Sequence, residues 1–148
     1  MGQKPTVAQS VEMSMARNFE QKVKTLLSKW ANRLGLADYT FCLEARDEQK
    51  LKDDYARVFT DEELREISIE LNQPLLEQEP HELEKTIIHE LLHARLSEYT
   101  KITEELIGGY VKSAGTRRVL RRLLSQLEHK VVVALTEAFT RDIHGSDR

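Results

Sequence analysis

Residues 86–93 read Thr-Ile-Ile-His-Glu-Leu-Leu-His, and the pentad His89-Glu90-Leu91-Leu92-His93 inside them decides the fold. Two histidines four positions apart lie about one turn apart on one face of a helix. Their ring nitrogens can converge on one metal ion at the roughly 2.0–2.1 Å of a zinc–nitrogen bond. The glutamate between them points about 100° further round, beside the metal, where it can take a proton from an activated water. The pattern therefore marks His89 and His93 as metal ligands, zinc as the metal and Glu90 as general base. Ile87, Ile88, Leu91, Leu92 and Leu96 surround the motif, so its helix is apolar on most sides and belongs in a core. Polar groups buried there are costly unless paired or coordinated, which favours a metal over two idle histidines.

Working outward, Pro80 opens this helix, with Glu82 and Glu84 in the first turn, and the helix is predicted to run to about Tyr99. His81-Glu82 copies the start of the motif but lies two turns upstream, roughly 12 Å along the axis, too far to share the metal. Residues 102–112 read as a shorter helix interrupted at Gly108-Gly109. After a break at Gly115, Thr116 is a candidate N-cap for a last helix over Arg117–Arg141. Upstream of the motif, Phe19, Val23, Leu26, Leu27, Trp30 and Leu34 recur at helical spacing, predicting a helix over Ser10–Leu34 that stops at Gly35.

Tyr39–Ala45, Tyr55–Phe59 and the alternating Ile67, Ile69 and Leu71 read as three short strands, with the charged Arg46–Asp54 as a hairpin connection and Asn72-Gln73-Pro74 ending the third. Helix, strands, then helices make an α+β domain over residues 10–141, with a small, mostly antiparallel sheet and tails at 1–9 and 142–148.

A catalytic zinc site takes three protein ligands and leaves one position open. The extended pattern with a third histidine six residues after the second is absent, because Leu96 and Tyr99 occupy its glycine and histidine positions. The candidates downstream are Glu98, Glu104, Glu105, Glu128, His129, Glu137, Asp142 and His144. On a helical projection Leu120, Leu124, Leu127, Val131, Leu135 and Ala138 form the expected buried stripe. Glu128 falls on its edge, while His129 and Glu137 point away. Glu128 is therefore the favoured third ligand, with His129 the alternative. An ion pair between Glu128 and Arg121 or Arg95 is the non-metal reading of the same position.

The segment Thr86–His93, followed 35 positions after His93 by Glu128-His129-Lys130-Val131-Val132-Val133, resembles a family of short zincin-like proteins of bacteria, phages and prophages. Leu27–Leu36 and Arg65–Ile69 extend the likeness over most of residues 20–140. The resemblance implies a minimal gluzincin: zinc, Glu90 as base, and a metallopeptidase fold acting on a peptide or protein. In the wider group, the strand before the active helix (here Ile67 to Leu71) pairs with an extended substrate, and a tyrosine such as Tyr99 or Tyr110 stabilises the oxyanion.

Composition narrows the remaining classes. The 148 residues suffice for one domain with its own core, and 40% hydrophobic with 32% charged residues mark a folded chain. A net charge of −3 gives no reason to expect nucleic acid, and the cluster Arg117, Arg118, Arg121 and Arg122 reads as a solvated helical face. No apolar run approaches the roughly 18 residues that span a bilayer, so no membrane is expected. Gly2 and Thr6 fit a myristoylation pattern by coincidence. The single Cys42, within a strand-like apolar run, reads as a buried inert thiol in a reducing, cytoplasmic setting. The leading function is zinc-dependent peptide hydrolysis. The alternatives are a metal-bound interaction module with little or no hydrolysis, and a closed structural zinc site with a fourth protein ligand. The sequence gives no oligomeric state.

Overall fold

The structure is a computed structural model that describes residues 7–46 and 54–145. The first helix, α1 (Val7–Arg33), begins three residues earlier than its periodicity predicts. Its end follows the sequence signal. Gly35 takes φ +70°, a left-handed conformation that costs a side-chain-bearing residue more, and the Leu36 N–H returns to the Ala31 carbonyl at 2.8 Å. Leu36 is buried beneath that turn. Val23, Leu27 and Trp30 form the inward stripe, and Trp30 is wholly buried with its indole N–H donated to Glu84 at 2.8 Å. That bond satisfies the one polar atom of the largest core side chain.

The three strands are β1 (Thr40–Arg46), β2 (Ala56–Asp61) and β3 (Glu66–Asn72), in the order β1-β3-β2. β3 runs parallel to β1 and antiparallel to β2, so the sheet is mixed, where the sequence suggests a mostly antiparallel one. The cause is the position of the hairpin. It joins β2 to β3 through residues 62–65, with the Asp61 carboxylate accepting the Leu64 N–H at 2.9 Å. β1 then takes the other side of β3, so β1 and β2 never pair. The connection expected to be a hairpin between them falls largely in residues 47–53, outside the described residues. Ile67, Ile69 and Leu71 face inward, as their alternation predicts.

Asn72, fully buried, ends β3 and begins a short helix that the sequence reading missed, α2 (Gln73–Gln78). Its side-chain oxygen accepts the Leu75 N–H at 3.3 Å, and Pro74 sits in the first turn. The motif helix, α3 (Glu82–Tyr110), starts after His81 and packs Leu83, Ile87, Ile88, Leu91, Leu92 and Ala94 into the core. It is one helix, where the sequence predicts a break after Tyr99 and an interruption at the glycines. Two glycines cost about 1 kcal/mol each in a helix interior, less than the packing against the next helix returns. Replacing Gly109 by alanine, whose added methyl meets nothing within 4 Å, is expected to stabilise the protein by about 0.5–1 kcal/mol in chemical denaturation.

The last helix, α4 (Ala114–Gly145), lies antiparallel to α3 across a three-residue turn. Ser113 caps it by accepting the Thr116 N–H at 3.3 Å, so Thr116 lies inside the helix rather than at its cap. Arg117 donates to the Val111 carbonyl at 2.9 Å, tying the turn to the C-terminus of α3. The expected stripe on this helix is displaced by one position. Val132 and Thr136 are buried and Glu128 half-buried, whereas Leu127 is 59% and Val131 45% exposed. α4 presents to α3 a row containing a carboxylate and a hydroxyl, not its most apolar row.

Candidate metal centre

α3 holds His89 and His93 one turn apart, ring centres 4.9 Å from each other. α4 adds the ring of His129, with centres 6.0 Å from His89 and 6.3 Å from His93. One nitrogen from each of the three rings lies within 4.8 Å of the others, so these histidines could hold a metal ion. A tetrahedral zinc would set its ligand nitrogens roughly 3.4 Å apart, within the 4.8 Å that bounds these three.

Hydrogen bonding fixes which nitrogens are free. Glu128, the ligand favoured by sequence, holds Nδ1 of His93 at 3.0 Å with one carboxylate oxygen and accepts the Thr100 hydroxyl at 3.0 Å with the other. A carboxylate can only accept, so Nδ1 of His93 carries a proton and Nε2 is the nitrogen left to face a metal. At His89, Nδ1 faces the Thr136 hydroxyl at 3.5 Å, whose own hydrogen goes to the Val132 carbonyl at 2.8 Å. The histidine must be the donor there too. Such partners on Nδ1 orient a ligating imidazole and raise its basicity. Burial, followed by the nearby His93, His129 and Lys85, lowers the pKa of His89 to about 4, so its ring is neutral at pH 7. At both motif histidines Nδ1 is thus occupied and Nε2 is the nitrogen left for a metal.

Glu90 is buried beside this cluster, and no hydrogen bond to its carboxylate is found among the described residues. Burial, with a smaller contribution from Asp54, raises its pKa to about 7. A carboxyl group so placed is poised to exchange a proton near neutrality. His89, Glu90, His93 and Glu128 line an open cleft of about 830 Å³ whose opposite wall is Asp54–Thr60, including β2.

Several sequence expectations change here. β3 is the central strand with both edges paired, so it cannot bind substrate as a strand; β2 is the edge strand at the cleft. Tyr99 and Tyr110 are exposed and line no part of the cleft, which removes them as oxyanion donors; the tyrosine in the wall is Tyr55, whose hydroxyl donates to Glu79 at 2.6 Å. His81 is exposed at the N-terminus of α3, as its spacing predicts. His129, the alternative ligand in the sequence because it lies off the apolar stripe, has its ring brought by α4 to those of His89 and His93. His129 sits one residue past the row of α4 that faces α3; it is exposed and lines no part of the cleft. The side chains of Asp142 and His144 lie outside the described residues.

A mixed α+β domain with a two-histidine, one-glutamate motif on a central helix is zincin-like. The SprT-like family, a group of zincin-like proteins related to metallopeptidases, matches residues 7–105, and this chain belongs to it. The match spans α1 through most of α3, and so covers His89, Glu90 and His93 but not His129. Among curated proteins and solved structures, none matches the chain. No helix among the described residues is long and apolar enough to cross a membrane.

Proposed function

We propose that this protein is a zinc-dependent peptidase whose metal is held by His89, His93 and His129, with Glu90 as general base. The observation that carries this reading is the convergence of three imidazoles beside a buried carboxyl group. Two of those rings have Nδ1 committed to Glu128 and Thr136, leaving Nε2 for a metal. Glu128, expected from the sequence as the third ligand, is assigned here to orienting His93, and Thr100 holds Glu128 in turn. Zinc would supply Lewis acidity, polarising a scissile carbonyl and acidifying water. Glu90 accepts the proton of the attacking water and passes it to the departing amine. The edge of β2, unpaired among the described residues, offers backbone groups along the cleft, which suits an extended peptide added as a strand.

The test is an unbiased peptide library incubated with zinc-loaded protein and read by mass spectrometry. New termini that appear with wild type and vanish with Glu90→Gln support hydrolysis. Stoichiometric zinc without any cleavage would instead give the metal-bound interaction module, and failure to bind zinc at all would end both readings.

Thr100 gives a smaller prediction. Thr100→Val frees one carboxylate oxygen of Glu128 and is expected to weaken zinc binding about three- to ten-fold in a chelator competition, with helicity unchanged.

A further inference from the structure

Cleaving a peptide bond takes a base for the attacking water and a donor for the negative charge that gathers on the carbonyl oxygen. Glu90 meets the first need. The hydroxyls of Tyr55, Ser97 and Thr100 line the cleft but are already donated, to Glu79 at 2.6 Å, to the Ala94 carbonyl at 2.8 Å and to Glu128 at 3.0 Å. A cation is in any case the stronger donor to a developing anion. Among the described residues, three cations line the cleft: Arg57, Lys85 and Lys101. Arg57 stands on the opposite wall, in β2, paired with Asp54 at 3.2 Å. Lys101 lies two turns beyond His93, roughly 12 Å along the helix, and is paired with Glu62 at 3.7 Å. Lys85 is the cation beside the cluster.

Lys85 precedes His89 by one turn, so the two stand on one side of α3 about 6 Å apart along its axis. Side chains on a helix lean toward its N-terminus, so the His89 ring covers the turn that Lys85 begins. The Lys85 charge contributes to lowering the His89 pKa, which agrees with an ammonium near that ring. The helical rotation sets its side. The direction midway between His89 and His93 lies about 20° round from His89. From there Glu90 stands about 80° to one side and Lys85 about 60° to the other. Base and cation therefore flank the cluster from opposite sides, so one can take a proton while the other receives the charge. The present partner of Lys85 does not hold it fast. It meets Glu82 at 3.5 Å, and its side chain is 48% exposed. An exposed pair of this kind contributes little, so the ammonium is free to turn into the cleft.

We infer that Lys85 is the oxyanion donor of the proposed peptidase, its ammonium hydrogen-bonding the carbonyl oxygen of the scissile bond. As the water oxygen bonds to the carbonyl carbon, the carbonyl π pair moves onto that oxygen and Lys85 stabilises it. The water proton passes to Glu90 and on to the departing amine as the C–N bond breaks, and Lys85 keeps its own protons throughout. This assignment rests on the hydrolytic reading.

The experiment compares Lys85→Met, Lys85→Arg and Glu82→Gln with wild type, all zinc-loaded, on a peptide found in the library screen. Calorimetry follows binding of that peptide's phosphinic analogue. Lys85→Met is expected to lower kcat about 10²–10³-fold with KM nearly unchanged. It should weaken the analogue by a similar factor, because the analogue carries the anionic oxygen that the substrate lacks. Lys85→Arg keeps a cationic donor and should recover all but about ten-fold of the loss. Glu82→Gln removes only the surface pair and should stay near wild type. Zinc content and circular dichroism should be the same in all four proteins. Wild-type kcat and analogue affinity in Lys85→Met overturn the assignment. So does a loss that Glu82→Gln reproduces, or one that Lys85→Arg does not relieve. A wild type that cleaves no peptide in the library removes the hydrolytic reading, and the assignment falls with it.

Discussion

His129→Ala is expected to abolish stoichiometric zinc binding, while Glu128→Gln keeps the metal and holds it about 10–100-fold less tightly. The two residues are adjacent in sequence but have different geometry. The His129 ring stands with His89 and His93, its ligand atom within 4.8 Å of theirs, whereas the Glu128 carboxylate is engaged by Nδ1 of His93 and by Thr100. Removing one of three ligands costs on the order of a thousand-fold in affinity or more, because the metal's binding energy is shared among few bonds. Losing the carboxylate leaves the His93 ring in place without its anchor, so the loss is smaller. Elemental analysis after dialysis, followed by competition with a chromophoric chelator, separates the two cases. Zinc retained in His129→Ala but lost in Glu128→Gln would return Glu128 to the ligand set.

Glu90→Gln is expected to keep zinc, to lower peptide cleavage by about 10²–10⁴-fold, and to stabilise the metal-free protein at alkaline pH. The last effect follows from the sign of its pKa shift. Burial raises the Glu90 carboxyl from 4.5 to about 7, so the folded chain holds this proton more tightly than the unfolded one. Its stabilising contribution is complete below about pH 4.5 and is lost as pH rises through 7. Above that range the buried charge costs up to about 3 kcal/mol, which glutamine avoids. His89 works in the opposite direction. Its pKa falls from 6.5 to about 4, so its contribution is present above 6.5 and is lost as pH drops toward 4. Denaturant titrations of the metal-free proteins at pH 5 and pH 8 check this. The variant should exceed wild type at pH 8 and approach it at pH 5, and equal stability at both would show that Glu90 is solvated. Added zinc should erase the difference at pH 8, since a nearby dication favours the ionised carboxylate.

The sequence determined, by itself, that a central helix carries His89, Glu90 and His93 on one side. Local periodicity fixes those relations before anything packs, and the apolar residues around the motif place its helix in the core. Local signals also set the end of α1 at Gly35 and the inward face of β3, because a left-handed glycine and a period of two are properties of short segments. Only the tertiary structure decided the rest. The order β1-β3-β2 depends on which strand the hairpin joins, and a strand's sequence does not record its neighbour. The continuity of α3 through Gly108 and Gly109 comes from packing along α4, which outweighs a weak local penalty. The face that α4 turns inward was not its most hydrophobic one, because α3 presents histidines there and the contact is partly polar. That rotation of one residue brings His129 to the cluster, gives Glu128 to His93, and leaves Leu123 and Leu127 on an outer surface.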